Sequence, residues 1–310
     1  MSLLSKIRSL LSNTQIDFMR LHKINIAISS ALVLASIILV MSRGLNFGID
    51  FSGGILIEAR FENDVKISNL RQTLANTIKN IQIQKIKNND DLTSDFLIRI
   101  PSSDYEQSKL VSTIQEALNN NFDNIKYRKI DYVGPQIGVE LIKKGFLSLS
   151  LSFFFIMIYI WIRFDWQFGL GAIITLLHDA ILVLGFYSIT QLEFNTTSIA
   201  ALLTVIGYSV NDTVVIFDRI RENLRRFKKV SIFEIINSSI NSTLSRSVLT
   251  SGLTLLSLLA LVFFGGKVLL SFSLATLFGV SIGTYSSIYI SSPLLLKYDP
   301  RNKNKSKKDV

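Results

Sequence analysis

INIAISSALVLASIILVMSRGLNFGIDFSGG, residues 24–54, joins two kinds of structure. Its first part, 24–42, contains no Asp, Glu, Lys or Arg. A helix of roughly 20 apolar residues crosses the hydrocarbon core of a bilayer, so this segment reads as a membrane span. Its second part, RGLNFGIDFSGG (43–54), crowds four glycines around one acid, Asp50. The glycine spacing fits neither the dinucleotide fingerprint nor a P-loop, and no Lys-Ser or Lys-Thr follows. The stretch reads as a joint, with Gly48, Gly53 and Gly54 supplying backbone freedom where the span meets the first strand.

Five more segments have the same character: approximately 145–163, 168–190, 197–217, 247–264 and 269–292. The mean hydropathy of +0.38 is high for a soluble protein,. Cysteine is absent, which excludes disulfides and thiolate metal sites,. The two histidines, His22 and His178, cannot build a zinc site alone,. No A-x-A site follows the first span, so it is expected to stay as an anchor and not to be cleaved.

The net charge of +10 would suggest nucleic acid in a soluble domain. Its distribution argues otherwise. Residues 44–140 hold 11 Lys and Arg against 13 Asp and Glu; the rest holds 22 against 10. The excess sits in three places: the N-terminus (Lys6, Arg8, Arg20, Lys23), the loop after the fourth span (Arg219, Arg221, Arg225, Arg226, Lys228, Lys229) and the tail from Lys297 to Lys308. The connections at 191–196 and 265–268 hold only Lys267. With six spans all the basic segments fall on one side, which the positive-inside rule makes cytoplasmic, as are both termini. Residues 44–140 then face outward.

That outer region alternates between periods. ILIEARF (55–61), IQIQKIK (81–87), DFLIRI (95–100) and IKYRKIDYV (125–133) read as strands,. KISNLRQTLANTIKN (66–80) and SDYEQSKLVSTIQEALNNNF (103–122) read as helices, the second with Ser103 and Asp104 as cap candidates,. The order βαββαβ predicts a small ferredoxin-like α/β domain, here bounded at 44–140 between the first span (in 1–43) and a bundle of spans two to six (141–296), with a basic tail at 297–310.

Charges inside spans mark functional sites by default, since each costs about 2.5–3.5 kcal/mol even on lenient insertion scales. In IGYSVNDTVVIFDRIREN (206–223), Asp212 lies roughly 7–8 Å inside the end of the fourth span. Asn211 and Thr213 flank it, and Gly207 and Ser209 allow close helix approach,. Arg246, in NSTLSRSVLTSG (241–252), enters the fifth span near the same depth and is an expected partner. A static ion pair, or an arginine reaching to the surface, is the bland reading. His178 and Asp179 occupy the middle of the third span. Adjacent residues point about 100° apart on a helix, so they fit one polar network but not one bidentate site. A metal phosphohydrolase would need more histidines than this chain has. Gly279 and Gly283 stand at G-x-x-x-G spacing in FGVSIGTYSSIYISSP and predict a close-packing face,. Pro293 is expected to end the last helix.

GIDFSGG (48–54), VGPQIGVEL (133–141), HD (178–179), IGYSVNDTVVIFDRIREN (206–223), SRSVLTSGLTLL (245–256) and FGVSIGTYSSIYISSPLLL (278–296) occur together in this order. In these motifs the chain resembles the SecF family, the smaller membrane subunits of the bacterial SecDF protein-export complex and relatives of the resistance-nodulation-division transporters. One departure is Ser245, where the family's fifth-span motif usually has Asn. The resemblance makes GIDFSGG, with Asp50, a family marker at the start of a periplasmic domain in the bacterial inner membrane. It implies a subunit that sits with SecD beside the SecYEG channel, with YajC as a further partner. Such a subunit uses the proton gradient to help draw unfolded preproteins outward after SecA has driven them in. Asp212 and Arg246 match the family's proton-pathway positions. Asn211, Asp179 and His178 are further candidates, against a purely structural role in the bundle. SecD would supply a homologous half, with its own acid near the level of Asn211. No enzymatic activity, cofactor or metal is expected; protons are the coupling ion.

Burial and a nearby guanidinium pull a carboxyl's proton affinity in opposite directions. Alternation of Asp212 between an ionised, Arg246-paired state and a protonated, released one would change how spans four and five pack. Other readings stand beside this one: half of a small-molecule exporter, a scaffold for SecD, or, least supported, an intramembrane hydrolase lacking a Ser–His or metal constellation.

Overall fold

A computed structural model of the chain describes residues 15–75, 81–86, 93–101 and 107–300. In chain order its elements are α1 (His22–Arg43), α2 (Ile49–Ser52), β1 (Gly54–Phe61), α3 (Ile67–Ala75), β2 (Gln82–Ile86), β3 (Ser94–Ile100), α4 (Gln107–Asn119), β4 (Ile125–Val133), α5 (Pro135–Arg163), α6 (Trp166–Thr190), α7 (Thr196–Arg226), α8 (Ile232–Phe264) and α9 (Gly266–Ser286). A π-helical segment, Ser287–Ser291, then leads into α10 (Ser292–Lys297). Two compact units result: Phe47–Leu147, and the chain up to Asn46 together with that from Ser148 onward.

Among the described residues, six helical stretches are long and apolar enough to cross a membrane: Phe18–Arg43, Gln136–Arg163, Trp166–Thr190, Thr196–Arg226, Ile232–Phe264 and Leu269–Lys297. All six expected spans are present, but several helices run past their apolar windows. α5 begins at Pro135 instead of near 145, and α8 at Ile232 instead of near 247. Hydropathy falls off where polar side chains begin, whereas backbone hydrogen bonding continues until a cap stops it. For α8 that cap is Ser231, whose Oγ accepts from the Glu234 N–H at 3.2 Å, with Glu234 complementing the helix N-terminus,. For α7 it is a reciprocal box between Asn195 and Ser198,.

The core at one end of the bundle is an aromatic cluster. Phe217 of α7 meets Phe168 and Phe164 edge-on, with ring centres 5.1 and 6.2 Å apart. Ile216, Ile220, Ile235, Ile236, Ile240 and Leu295 fill in around it. α6 is the most enclosed span. Pro293 does not end the last helix. It lies in the first turn of α10, directly after the π-helical segment, and the helix continues past it to Lys297.

The other unit is a four-stranded antiparallel sheet in the order β2-β3-β1-β4. Ile55, Ile57, Ala59 and Phe61 of β1, and Phe96, Ile98 and Ile100 of β3, form one apolar cluster with Leu70 and Leu74 of α3 and Ile114 and Leu118 of α4. Full burial of each large side chain contributes about 1.5–3 kcal/mol, and this cluster is what holds the small domain together. Its order and strand pairing are those of the expected ferredoxin-like fold. The cap candidates Ser103 and Asp104, and the end of the helix predicted over 66–80, lie outside the described residues.

The glycine joint divides its labour unevenly. Gly53 and Gly54 have φ of +69° and +120°, and a Cβ on Gly54 would overlap the Ile100 carbonyl. Both need glycine. Gly48 does not need it for its backbone: it is extended (φ −71°) and precedes the one-turn helix α2, which the sequence reading lacks. Asp50 lies in that turn. Gly138, from the VGPQIGVEL motif, packs against it; a Cβ there would stand 2.9 Å from the Phe51 carbonyl oxygen. Two motifs distant in sequence thus meet within the unit Phe47–Leu147.

Candidate functional site: a buried polar network in the helical unit

The interior of the α6–α9 packing is not wholly apolar. Asp179, fully buried in mid-α6, is held from three directions. Ser209 Oγ of α7 donates to its Oδ2 at 2.6 Å, Ser286 Oγ of α9 donates to the same oxygen at 2.8 Å, and His178 Nδ1 lies 2.8 Å from Oδ1. The sequence reading placed His178 and Asp179 in one network but did not find Ser209 or Ser286. Only the fold brings those hydroxyls from separate helices to one carboxylate. His178 Nε2, also buried, has no hydrogen-bond partner among the described residues.

Asp212 sits one turn along α7 from Ser209 and is 2% exposed. It is held far more loosely than Asp179. Ser251 Oγ of α8 stands 3.5 Å from Asp212 Oδ2, at the outer limit of a hydrogen bond,. Ser251 is itself engaged by Thr284 Oγ1 at 2.8 Å and by the Tyr208 hydroxyl at 3.3 Å. Ser247 of α8 also faces Asp212, though its hydroxyl, like that of Thr213 beside Asp212 in the chain, makes no hydrogen bond of good geometry among the described residues. Asp179 on α6 thus has three close polar partners, whereas Asp212 on α7, one turn from Ser209, has only long ones.

Arg246 does not close on Asp212. Its side chain is exposed on the surface of α8, and no ion pair joins the two among the described residues. Asn211 is likewise exposed, and beyond Gly207, one turn earlier on the same face, nothing lies within 4 Å. The residues matched to a proton pathway therefore divide. Asp212, Asp179 and His178 lie inside the unit, whereas Asn211 of α7 and Arg246 of α8 are exposed. The pairing expected from matched depth is not a contact ion pair among the described residues: Arg246 acts on Asp212 from a distance, while Ser247 and Ser251 occupy the side of α8 turned to Asp212, about 100° round the helix from Arg246,.

The G-x-x-x-G face lies alongside this network. A Cβ on Gly279 would overlap the Val205 side chain, and one on Gly283 would stand 3.2 Å from the Cβ of Ser209, the residue that bonds Asp179. Small residues here set the α7–α9 spacing on which the Ser209–Asp179–Ser286 bridge depends. Gly279→Leu is accordingly expected to destabilise the bundle by about 1–3 kcal/mol through overpacking, lowering the detergent melting temperature of the full chain; an unchanged melting temperature would show that the helices part freely.

Five residues of π-helix, Ser287–Ser291, follow Ser286 directly. Ser291 Oγ donates to the Ser287 carbonyl at 2.6 Å and Ser292 Oγ to the same carbonyl at 3.1 Å. The segment packs on α6: a Cβ on Gly171 would lie 3.1 Å from the Ser291 carbonyl oxygen. π-turns recur at functional sites, and nothing in the local sequence beyond its serine density signals this one.

Residues 113–301 match the family model "Protein export membrane protein SecD/SecF, C-terminal", and residues 38–65 match the "SecD/SecF GG Motif". The protein translocase subunit SecF of Rickettsia bellii is 50% identical over 292 residues, which are 93% of this chain and 95% of that one. This chain belongs to the SecF family. The SecF of Rickettsia felis is 48% identical over 302 residues, 96% of this chain and 97% of that one. Among solved structures, a SecDF from Thermus, described as a translocon-associated membrane protein, superimposes with a TM-score of 0.82 at 35% identity. A super-membrane-facing form of SecDF gives 0.70. Each match covers 96% of this SecF-type chain but only 40% of the solved chain, so the present chain spans two-fifths of those proteins. It is a multi-pass membrane subunit of the protein translocase type.

Proposed function

We propose that this SecF-type chain pairs with SecD in the bacterial inner membrane and couples proton movement to the outward passage of unfolded preproteins through SecYEG, after the SecA-driven step. Its termini are cytoplasmic and its ferredoxin-like unit periplasmic, as the basic flanks of the spans favour. YajC is a further partner. The chain acts as a proton-coupled mechanical subunit without enzymatic activity, and protons are its only coupling species.

The observation that carries this reading is the contrast between the two buried acids. Asp179, with three polar partners, is fixed in place. Asp212, with no hydrogen bond shorter than the long Ser251 contact among the described residues and with Ser247 and Arg246 also acting on it, is the more weakly held carboxyl, free to change its proton occupancy and its partners. The exposed side of α7 that bears Gly207 and Asn211 suits a second membrane bundle, and SecD as a homologous half would cover it. Arg246 stays charged throughout. It would meet Asp212 only if α7 and α8 shift relative to each other, and such a rearrangement is what proton binding would drive.

The test uses membrane vesicles in which a preprotein is stalled part-way and ATP is then removed. Imposing a proton gradient is expected to advance the preprotein only where both this chain and SecD are present, and a protonophore is expected to abolish the advance. Equal advance in vesicles lacking the chain would refute the proposal.

A further inference from the structure

One end of the helical unit gathers arginines around a single concavity. Arg163 closes α5, and Arg221, Arg225 and Arg226 lie in the last turns of α7. With Asp218 and Glu222 they line a cavity of about 480 Å³. The acids on its wall are already engaged: Arg163 donates to Asp218 at 2.8 Å and Arg219 to Glu222 at 2.6 Å. Arg221 is aimed without being neutralised. Its Nη1 donates to the Arg163 carbonyl at 2.9 Å, and its guanidinium stands over the Phe164 ring at 5.8 Å, on which Arg163 also stacks. Arg225 and Arg226 have no carboxylate within 4 Å among the described residues.

The depth of the cavity is marked independently. Trp166 opens α6 two residues after Phe164, is half exposed, and lies 5.8 Å ring to ring from Tyr298, over which Lys297 Nζ sits at 5.5 Å. An exposed Trp beside a partly exposed Tyr, with a lysine, at the ends of spans is the composition of the headgroup layer,. Arginine at a helix C-terminus also complements the helix dipole, but that would be satisfied by charges spread around the turn. It does not explain three uncompensated guanidinium groups converging on one hollow, where they repel one another unless an anion lies among them.

We propose that this arginine cavity binds the phosphodiester headgroup of an anionic phospholipid. Basic pockets between spans take such headgroups, and a planar guanidinium matches phosphate oxygens in pairs. Bound there, the lipid would tie α5 to α7, the helix that carries Asp212.

The chain has two tryptophans, Trp161 and Trp166, so Trp161→Phe leaves a single reporter beside the cavity. The full chain is reconstituted in bilayers containing brominated phosphatidylglycerol or brominated phosphatidylcholine, and quenching of Trp166 gives their relative association. A preference of about fivefold or more for the anionic lipid is expected, since each arginine near an anionic surface is worth roughly that factor. Arg225→Gln with Arg226→Gln should bring the ratio close to one. Both side chains are exposed, so helicity by circular dichroism should not change. Arg225→Lys with Arg226→Lys should keep most of the preference. Inorganic phosphate, added at constant ionic strength, should leave the preference intact. Equal quenching by the two lipids, or a preference that survives the glutamine pair, overturns the proposal. So does abolition of the preference by inorganic phosphate, which would assign the cavity to a soluble anion.

Discussion

Asp212→Asn is expected to reduce proton-driven export to the level of membranes that lack the chain, while expression and association with SecD stay normal. The side chain is 2% exposed and keeps its shape as an amide, so the helices around it have no reason to repack. What is lost is the capacity to bind and release a proton. The energy at stake is modest but sufficient. One charge moving through 100 mV yields about 2.3 kcal/mol, roughly a fiftyfold bias on a two-state equilibrium and well short of the ~5.5 kcal/mol that takes a population from 1:99 to 99:1. A switch run by one proton must therefore be nearly balanced beforehand, and a loosely held carboxyl is a suitable element for one. Asp179→Asn provides the contrast. Its three polar partners come from three positions in the bundle, so its replacement should lower the melting temperature. The measurement is gradient-driven advance of a stalled preprotein. Undiminished advance in the Asp212→Asn chain would remove Asp212 from the proton path, and with it the case for a switch between α7 and α8.

The sequence was most informative where one physical signal dominates. A span of about 20 apolar residues has no competing soluble reading, and alternation in ILIEARF or DFLIRI fixes which side chains face the helices of a half-buried sheet. Intramembrane acids were equally conspicuous, because nothing but function or close pairing keeps them there. What could not be read was azimuth and assembly. Whether Arg246 turns toward Asp212 or away depends on the rotation of α8, which Ser247 and Ser251 decide by packing inward. That Ser209 and Ser286 both serve Asp179 depends on two helix crossings, set in part by Gly283, that no local period encodes. Helix ends were misjudged for a related reason: the capping hydroxyl of Ser231 sets the start of α8 at Ile232, whereas hydropathy reports only where the apolar stretch begins, near 247. The short α2 turn was hidden among glycines that suggested only a flexible loop.

A second large effect is expected in the outer unit, from Asp95→Ala. DFLIRI places Asp95 on the sheet face away from the apolar cluster, yet it is 1% exposed. The cause lies across the strands. Arg60, its partner in the β1–β3 register, clamps both carboxylate oxygens at 2.7 and 3.0 Å. Arg128 reaches the same carboxylate at 3.3 Å from the irregularity in the β1–β4 pairing, with Glu58 3.6 Å beyond. Three strands are thus tied at one point. Removing one partner of a buried pair costs about 3–5 kcal/mol because the other charge is left uncompensated. Arg60 and Arg128 retain a quarter and nearly half of their side-chain exposure, so water offsets part of that, and a loss of about 2–3 kcal/mol is expected. Hydrogen exchange on the full chain in detergent should show it as faster exchange confined to the β1 and β3 peptides, with the α6–α9 helices unaffected. Arg60→Ala should cost less, since Arg128 still compensates Asp95, and the double variant should cost less than the sum of the two. Strict additivity would show that the clamp carries no coupling energy and that Asp95 is buried by packing alone. Because this change spares the buried acids of the helices, any export defect it causes would belong to the sheet unit, separately from the proton step proposed for Asp212.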